Sequence, residues 1–173
     1  KIRSSLLLDL FSLREAVEST RIEGTQVTMH DMLEHRAEEK KENNDIREVA
    51  NYYDALAFVE RRLETMPLSG RIIREAHKIL MSGEVRGKGT IIPGEFRTSQ
   101  NFLGPKGATR ENATYVPPEP QLVQDYITNL EKYINDETET NDLIKIAVIH
   151  AQFETIHPFS DGNGRVGRIL IPL

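Results

Sequence analysis

The chain contains no cysteine and no tryptophan. Without thiols there is no disulfide scaffold, no cysteine nucleophile and no cysteine-ligated zinc. Positive charge is also short: 22 Lys and Arg stand against 27 Asp and Glu, for a net charge of −5. A broad nucleic-acid face needs clustered excess positive charge, so no nucleic-acid partner is expected. No apolar run approaches the roughly 20 residues of a membrane helix, and no signal peptide is visible. These absences lead to the expectation of a soluble, cytoplasmic protein that does not engage a membrane. The 173 residues suffice for one domain with a sizeable core. Both ends read as cut, since the chain starts on Lys1 and stops inside the apolar segment Val166–Leu173. A fragment of a longer protein is expected.

What is present is concentrated near the end. The stretch from His157 to Arg168 reads His-Pro-Phe-Ser-Asp-Gly-Asn-Gly-Arg-Val-Gly-Arg. It follows an apolar run of helical length, Asn141–Ile156, and leads into a second, shorter apolar segment. In a polar, glycine-rich turn between two helices, backbone N–H groups and the first N–H groups of the next helix can share one space and hold an anion. Arg165 and Arg168 lie about one helical turn apart and can both face that anion. His157 stands beside it as a candidate base. Gly162 to Gly167 also matches G-x-G-x-x-G, but a dinucleotide fold needs a strand before it and an acidic residue about 20 positions later. A kinase glycine loop fails too, because no V-A-I-K strand can follow. A metal triad of His150, His157 and Asp161 is disfavoured, because no H-E-x-x-H or similar ligand pair is present.

The twelve residues match H-P-F-x-[DE]-G-N-G-R-x-x-R in full, and on them the chain resembles the Fic family. The resemblance implies a mainly α fold, a Fic-type helical bundle with a β-hairpin flap beside the active-site loop. It also implies transfer of AMP from ATP to a Ser, Thr or Tyr hydroxyl of a target protein, with Mg²⁺ as the metal. Carried over by position, His157 takes the hydroxyl proton and Asp161 binds the magnesium. Gly162, Asn163, Gly164 and Gly167 form the anion site, and Arg165 and Arg168 hold the outer phosphates. Family members with an N-terminal inhibitory helix carry [S/T]-x-x-x-E-[G/N], which Ser19, Glu23 and Gly24 fit. There the glutamate pairs with the second motif arginine, here Arg168, and blocks the place of the γ-phosphate. Thr20-x-x-Glu23 has a purely structural reading as a capping box, but Gly24 and Thr25 make a poor helix start.

The rest of the chain reads as helices in series. Leu6, Leu10, Leu13 and Val17 keep one helical face up to a stop at Gly24. Thr28 with Asp31 predicts a helix through about Lys41, and Lys40–Asn44 a polar break. Ile46, Val49, Ala50, Tyr53, Leu56, Ala57 and Leu63 predict a long helix over Asp45–Thr65. Ser69 caps another, with Ile72, Ile73, Ala76 and Leu80 inward and His77 as a core or hydrogen-bonded histidine. Between Gly83 and Pro120 the helical period is lost, which predicts loops and a short hairpin. Its arms would be Gly94–Asn101 and Tyr115–Pro118, and by resemblance Arg97, Gln100, Asn101, Phe102 and Tyr115 would dock the target by strand addition. Phe102 stands where many family members have tryptophan. Leu122, Val123, Tyr126, Ile127, Leu130 and Ile134 predict a helix from Pro120 to about Asn135. Leu143–Ile156, apolar on most of its circumference, predicts a central buried helix, in which His150 orients its neighbours.

The expected organisation is an inhibitory segment over residues 1–27 and a C-terminally truncated catalytic domain over 28–173. The expected partners are ATP and a protein substrate, with a homodimer left open. Three rival outcomes remain: removal of AMP from a modified protein with Glu23 positioning water, phosphate transfer as in the Doc branch, and a non-catalytic nucleotide sensor. The Doc branch departs from Gly-Asn-Gly-Arg in the loop, which disfavours the second.

Overall fold

The computed structural model describes residues 4–38, 43–83, 91–105, 107–136, 138 and 141–173. Among the described residues seven α-helices carry the fold: α1 (Ser4–Ile22), α2 (Met29–Glu38), α3 (Asn44–Leu63), α4 (Gly70–Leu80), α5 (Val123–Ile134), α6 (Asp142–Ile156) and α7 (Asn163–Ile169). A 3₁₀ turn, Pro120–Leu122, leads into α5.

Local chemistry sets these boundaries. α1 stops before Gly24, whose φ of 100° is open to glycine at little cost. α2 opens on a reciprocal box in which Asp31 accepts from the Thr28 N–H at 2.8 Å and the Asp31 N–H donates to Thr28 Oγ1 at 3.2 Å. Asn43 caps α3, Ser69 caps α4, and Asn141 caps α6. The expected end of α2 near Lys41 and most of the break at Lys40–Asn44 lie outside the described residues.

α3 is the central element, packing against α1, α4 and α7. Its inward face supplies Val49, Tyr52, Ala55, Leu56 and Val59, which meet Leu13, Ala16 and Val17 of α1 and Ile72, Ile73, Ala76 and Leu80 of α4 in one core. On α1 only the second half of the expected stripe is inside: Leu13 and Val17 are buried, and Leu6 is exposed. On α5 Val123, Ile127 and Leu130 are buried, while Leu122 and Tyr126 face out.

Two expectations are corrected. α6 is not buried all round: Ile149, Phe153 and Ile156 enter the core, whereas Leu143 is 78% exposed and Ile144 and Val148 are also exposed. α6 packs on α5 and α7 along one face only, so an apolar circumference did not translate into burial. The second concerns the hairpin. Among the described residues no strand forms, and the two arms meet in a single antiparallel bridge between Leu103 and Tyr115. Pro117 and Pro118 lack N–H groups, so the second arm cannot donate a ladder there. Side chains span the gap instead: Gln100 Nε2 donates to Pro117 O at 2.8 Å, and Arg97 Nη2 donates to Pro118 O at 2.5 Å.

Phe153, fully buried, carries α6 onto the rest of the core. Phe153→Ala should cost about 3–5 kcal/mol of stability, read as a lowered urea midpoint at unchanged m-value.

Candidate active site

α6 ends where the chain turns left-handed. His157 sits at φ 49° and ψ 60°, and its N–H closes on Phe153 O at 2.9 Å. A residue with a Cβ adopts this conformation only when its surroundings hold it. Arg97 does much of that holding. Its side chain is buried, with Nε donating to His157 O at 2.8 Å and Nη2 reaching Ile156 O at 3.4 Å, while its own N–H donates to Pro158 O at 2.9 Å. The last carbonyls of α6 are thereby capped by a cation, as the helix dipole favours.

The loop is closed on itself by Asn163. Its amide oxygen accepts from the Phe159 N–H and its amide nitrogen donates to Phe159 O, both at 2.8 Å. Asn101 Nδ2 adds a donor to Phe159 O at 3.0 Å. Phe159 is itself buried and stacks on His77, with ring centroids 3.7 Å apart and an interplanar angle of 5°. The Gly94 N–H donates to His77 Nδ1 at 2.9 Å, which leaves the proton on Nε2 to donate to Asp161 O at 3.1 Å. His77 is thus held neutral between two loops, and burial lowers its pKa from 6.5 to about 4. Gly162 starts α7 at φ 76°, and a Cβ there would stand 2.9 Å from Met81 Sδ. Only glycine fits both the conformation and the space.

Inside this loop the charged groups sort by burial. His157 has its pKa lowered, chiefly by burial, with the Arg97 charge adding and the Glu154 carbonyl and Asp161 opposing. Its Nδ1 is buried without a partner in hydrogen-bond geometry. Arg165 is 4% exposed, and its Nη1 lies 3.8 Å from the buried Glu48 carboxylate of α3. Among the described residues Arg165 Nε and Nη1 find no hydrogen-bond partner. Asp161 keeps a side chain 39% exposed, with Oδ1 accepting from the Gly162 N–H at 2.6 Å and lying 3.9 Å from Arg165 Nη2. Among the described residues no group of three His, Asp or Glu converges on a metal position. A hard cation here would draw on Asp161 and on oxygens brought by a ligand.

Arg168 meets α1. Its Nη2 pairs with Glu23 Oε1 at 2.5 Å, its Nε donates to Ser19 Oγ at 2.7 Å, and Nη2 also reaches Ser19 O at 3.4 Å. Gly164 makes room for this, since a Cβ there would lie 3.0 Å from Arg168 Nη1 and 3.2 Å from Glu23 Oε1. Ser19, in the last turn of α1, and Glu23, just past its end, therefore converge on Arg168, the arginine that the family resemblance pairs with the glutamate. Gly24 ends that turn.

The other expected site residues lie further out. Gly167 is buried at the α6–α7 contact, where its carbonyl meets His150 Nδ1 at 3.0 Å and a side chain would collide with Glu154. Tyr115 is partly exposed and its hydroxyl donates to Thr155 O at 2.8 Å, and Phe102 is half-buried. The sequence reading missed Glu48 and Glu154, and it missed that Arg97 is turned inward. Nothing in linear spacing signals such partners, which come from α3, from the face of α6 against Gly167 and from 60 residues upstream of His157.

Residues 67–173 match the model of the Fic/DOC family, and residues 2–59 match the model of the Fic/DOC family N-terminal region. The chain belongs to the Fic/DOC family. A protein of Aquifex aeolicus named "Probable protein adenylyltransferase" is 32% identical over 165 residues, covering 95% of this chain and 48% of that protein. The Drosophila ananassae protein adenylyltransferase Fic is 29% identical over 157 residues, covering 87% of this chain and 29% of its own length. The chain thus spans less than half the length of these curated relatives. Among solved structures, a Fic domain containing signaling protein from Bacteroides thetaiotaomicron superposes with a TM-score of 0.77 at 22% identity, over 93% of this chain and 60% of that one. That likeness fixes the mainly helical Fic fold.

His77 makes the loop of this Fic domain acid-sensitive. Its folded pKa lies below its unfolded value, so the unfolded chain binds the extra proton as pH falls. Stability should be unaffected by this group above pH 6.5 and should drop between pH 6.5 and about 4, by no more than about 3 kcal/mol. Urea denaturation at several pH values should show a shallower pH slope in His77→Gln than in the native chain. Equal slopes would contradict the neutral, buried assignment.

Proposed function

We propose that this Fic domain is the catalytic part of an autoinhibited protein adenylyltransferase. It moves AMP from ATP to a Ser, Thr or Tyr hydroxyl of a target protein and releases pyrophosphate. Residues 1–27 form the inhibitory segment and residues 28–173 the catalytic one. The observation that carries this reading is the convergence of a complete H-P-F-x-D-G-N-G-R-x-x-R loop with Ser19 and Glu23 on a single arginine, Arg168.

In this mechanism the acceptor oxygen attacks the α-phosphorus and the bond from that phosphorus to the bridging oxygen of the β-phosphate breaks. The proton of the hydroxyl passes to His157. The lowered pKa keeps that ring neutral and able to accept near pH 7. Arg165, whose buried Nε and Nη1 have no hydrogen-bond partner among the described residues, supplies fixed positive charge to the outer phosphates. The backbone around Gly162, Asn163 and Gly164 opens α7 toward the same anion, and Gly167 keeps α7 close to α6. Asp161 fits an oxygen ligand of Mg²⁺, which would neutralise charge on the phosphates when bound. The rigid clamps described above do the positioning on which such transfer mainly depends. Gln100, Asn101, Phe102 and Tyr115 would present the target segment along the arms that meet at Leu103 and Tyr115, with Arg97 contributing from inside by holding those arms to His157.

Glu23 sets the inhibition. A guanidinium binds a carboxylate and a phosphate through the same donors, so Glu23 and the γ-phosphate compete for Arg168.

His157→Ala should reduce transfer about 10²–10⁴-fold while nucleotide binding persists; transfer at the native rate would remove His157 as the base. In the uninhibited form, the acid limb of the pH–rate profile should fall below pH 6.5, because the base works only when neutral and its pKa is depressed.

Glu23→Gly should raise auto-modification by labelled ATP and magnesium at least about tenfold, equivalent to about 1.4 kcal/mol of relieved competition. Labelling equal to that of the native chain, with the fold intact, would sink the inhibitory role. A nucleotide sensor would bind ATP and label nothing in either form.

A further inference from the structure

The two loop arginines meet their carboxylates in different ways, and the difference singles out a residue that the proposed function does not use. Glu23 takes a hydrogen bond from Arg168, so it occupies a donor that a phosphate would use. Arg165 is met otherwise. The Glu48 carboxylate of α3 lies 3.8 Å from Arg165 Nη1, between side chains only 1% and 4% exposed. That is too long for a hydrogen bond and short enough for strong attraction between buried charges. Nη2 has Asp161 Oδ1 at 3.9 Å and a weak acceptor, Met81 Sδ, at 3.5 Å. Nε and Nη1 have no hydrogen-bond partner among the described residues.

A buried guanidinium has two needs: an opposite charge nearby, and acceptors for its N–H groups. Glu48 meets the first and leaves the second open. Asp161 is the weaker counter-charge, because its side chain is 39% exposed and partly screened, and in the proposed function it also serves magnesium. Glu48 is enclosed on α3, outside both sequence motifs, so its charge stays in place and unscreened. A phosphate drawn to Arg165 therefore also feels the Glu48 anion, and the repulsion offsets part of the attraction.

We infer that Glu48 sets the affinity of the outer-phosphate site: it balances the charge of Arg165 while leaving that residue's N–H groups to a ligand, and so holds polyphosphate binding below what the arginine alone would give. The inference rests on the reading of Arg165 as a phosphate-binding group. It adds a second carboxylate that acts on the site in a different way from Glu23. Glu23 competes for donors and must leave, whereas Glu48 remains and acts through charge alone. Moderate binding suits a transferase, because pyrophosphate has to depart from the same contacts that held it in ATP.

The test uses Glu48→Gln, which keeps the size and removes the charge. It is made in a Glu23→Gly, His157→Ala background, so that Arg168 is free and nucleotide binds without being consumed. Calorimetry with magnesium should show ATP bound about tenfold tighter in Glu48→Gln and AMP unchanged within about twofold, because only ATP carries outer phosphates. Without nucleotide the variant should melt at a lower temperature, since a buried cation has lost its partner, and saturating ATP should close most of that gap. ATP affinity equal to or below that of the background overturns the inference and leaves Glu48 a merely structural partner. An equal gain for ATP and AMP overturns it too, since the effect would not act through the outer phosphates. Should Glu48→Gln not fold alone, it is refolded with ATP and with AMP. Recovery with ATP only supports the inference, and recovery with both or with neither overturns it. The doubly neutral Glu48→Gln, Arg165→Gln form keeps the two readings apart, and there the ATP gain should vanish. A gain that survives in it shows that Arg165 is not the phosphate group, so the reading of Arg165 falls and the inference with it.

Discussion

The left-handed reversal at His157 is the constraint on which the active end depends. An L-residue with a side chain pays roughly 1–2 kcal/mol for that backbone region. The turn persists because its carbonyls are claimed from outside: Arg97 takes those of Ile156 and His157 and its N–H takes that of Pro158. The reversal throws Phe159 back into the core, where it stacks on His77, and lets Asn163 clamp both backbone groups of Phe159. Only then does α7 start where its arginines can meet α3 and α1. Relaxing the turn would cost the loop, the helix start and the charge arrangement together, because the same few hydrogen bonds hold all three.

The two motif arginines differ in how free they are. Arg165 is enclosed beside Glu48, and a buried pair is costly to separate because either partner alone would be an uncompensated charge. Its position is set by the fold. Arg168 keeps a side chain 18% exposed against a Glu23 that is 40% exposed, so that pair is partly screened and worth on the order of 1 kcal/mol. Difference in burial, at equal charge, separates a fixed electrostatic element from a contestable one.

Much of this was legible in the sequence, and the reasons differ by feature. Caps and stops rest on local chemistry, so Gly24, Thr28 with Asp31, and Ser69 fell where their side chains predict. The twelve-residue loop and the Ser19–Glu23 motif are contiguous or one turn long and so can be recognised in the sequence, and Glu23 meets Arg168 as the family resemblance implies. α6 was misjudged because periodicity reports how apolar a helix is, not whether a neighbour covers each side. The arms between Gly94 and Pro118 were over-regularised, since two consecutive prolines remove the donors a ladder needs. Tyr52, Glu15 and Glu48 were invisible as polar partners because they look like ordinary positions of amphipathic helices, and their meaning exists only across helices.

α1 serves the core and, in the proposed function, the inhibition, and that double use limits how inhibition can be relieved. Leu13, Ala16 and Val17 are wholly buried against α3. Exposing each of the two larger ones costs about 1.5–3 kcal/mol, so lifting the helix as a body is far dearer than breaking the Glu23–Arg168 contact. The Tyr52–Glu15 bond ties the same helix to α3 a turn earlier. The end of the helix is closed too, with the Glu23 and Thr25 N–H groups on Thr20 O and the Gly24 N–H on Arg21 O, so what can yield is the 40% exposed Glu23 side chain. Glu23 and Gly24 lie beyond the end of α1 at Ile22, and Gly24 already occupies a backbone region that only glycine enters cheaply. In the proposed function, relief therefore acts on the Glu23 side chain, by competition at Arg168, while Ser19 and the rest of α1 stay in place. In the proposed function, a carboxylate just past the capped end of a core helix can leave Arg168 by its side chain alone and return to the same point.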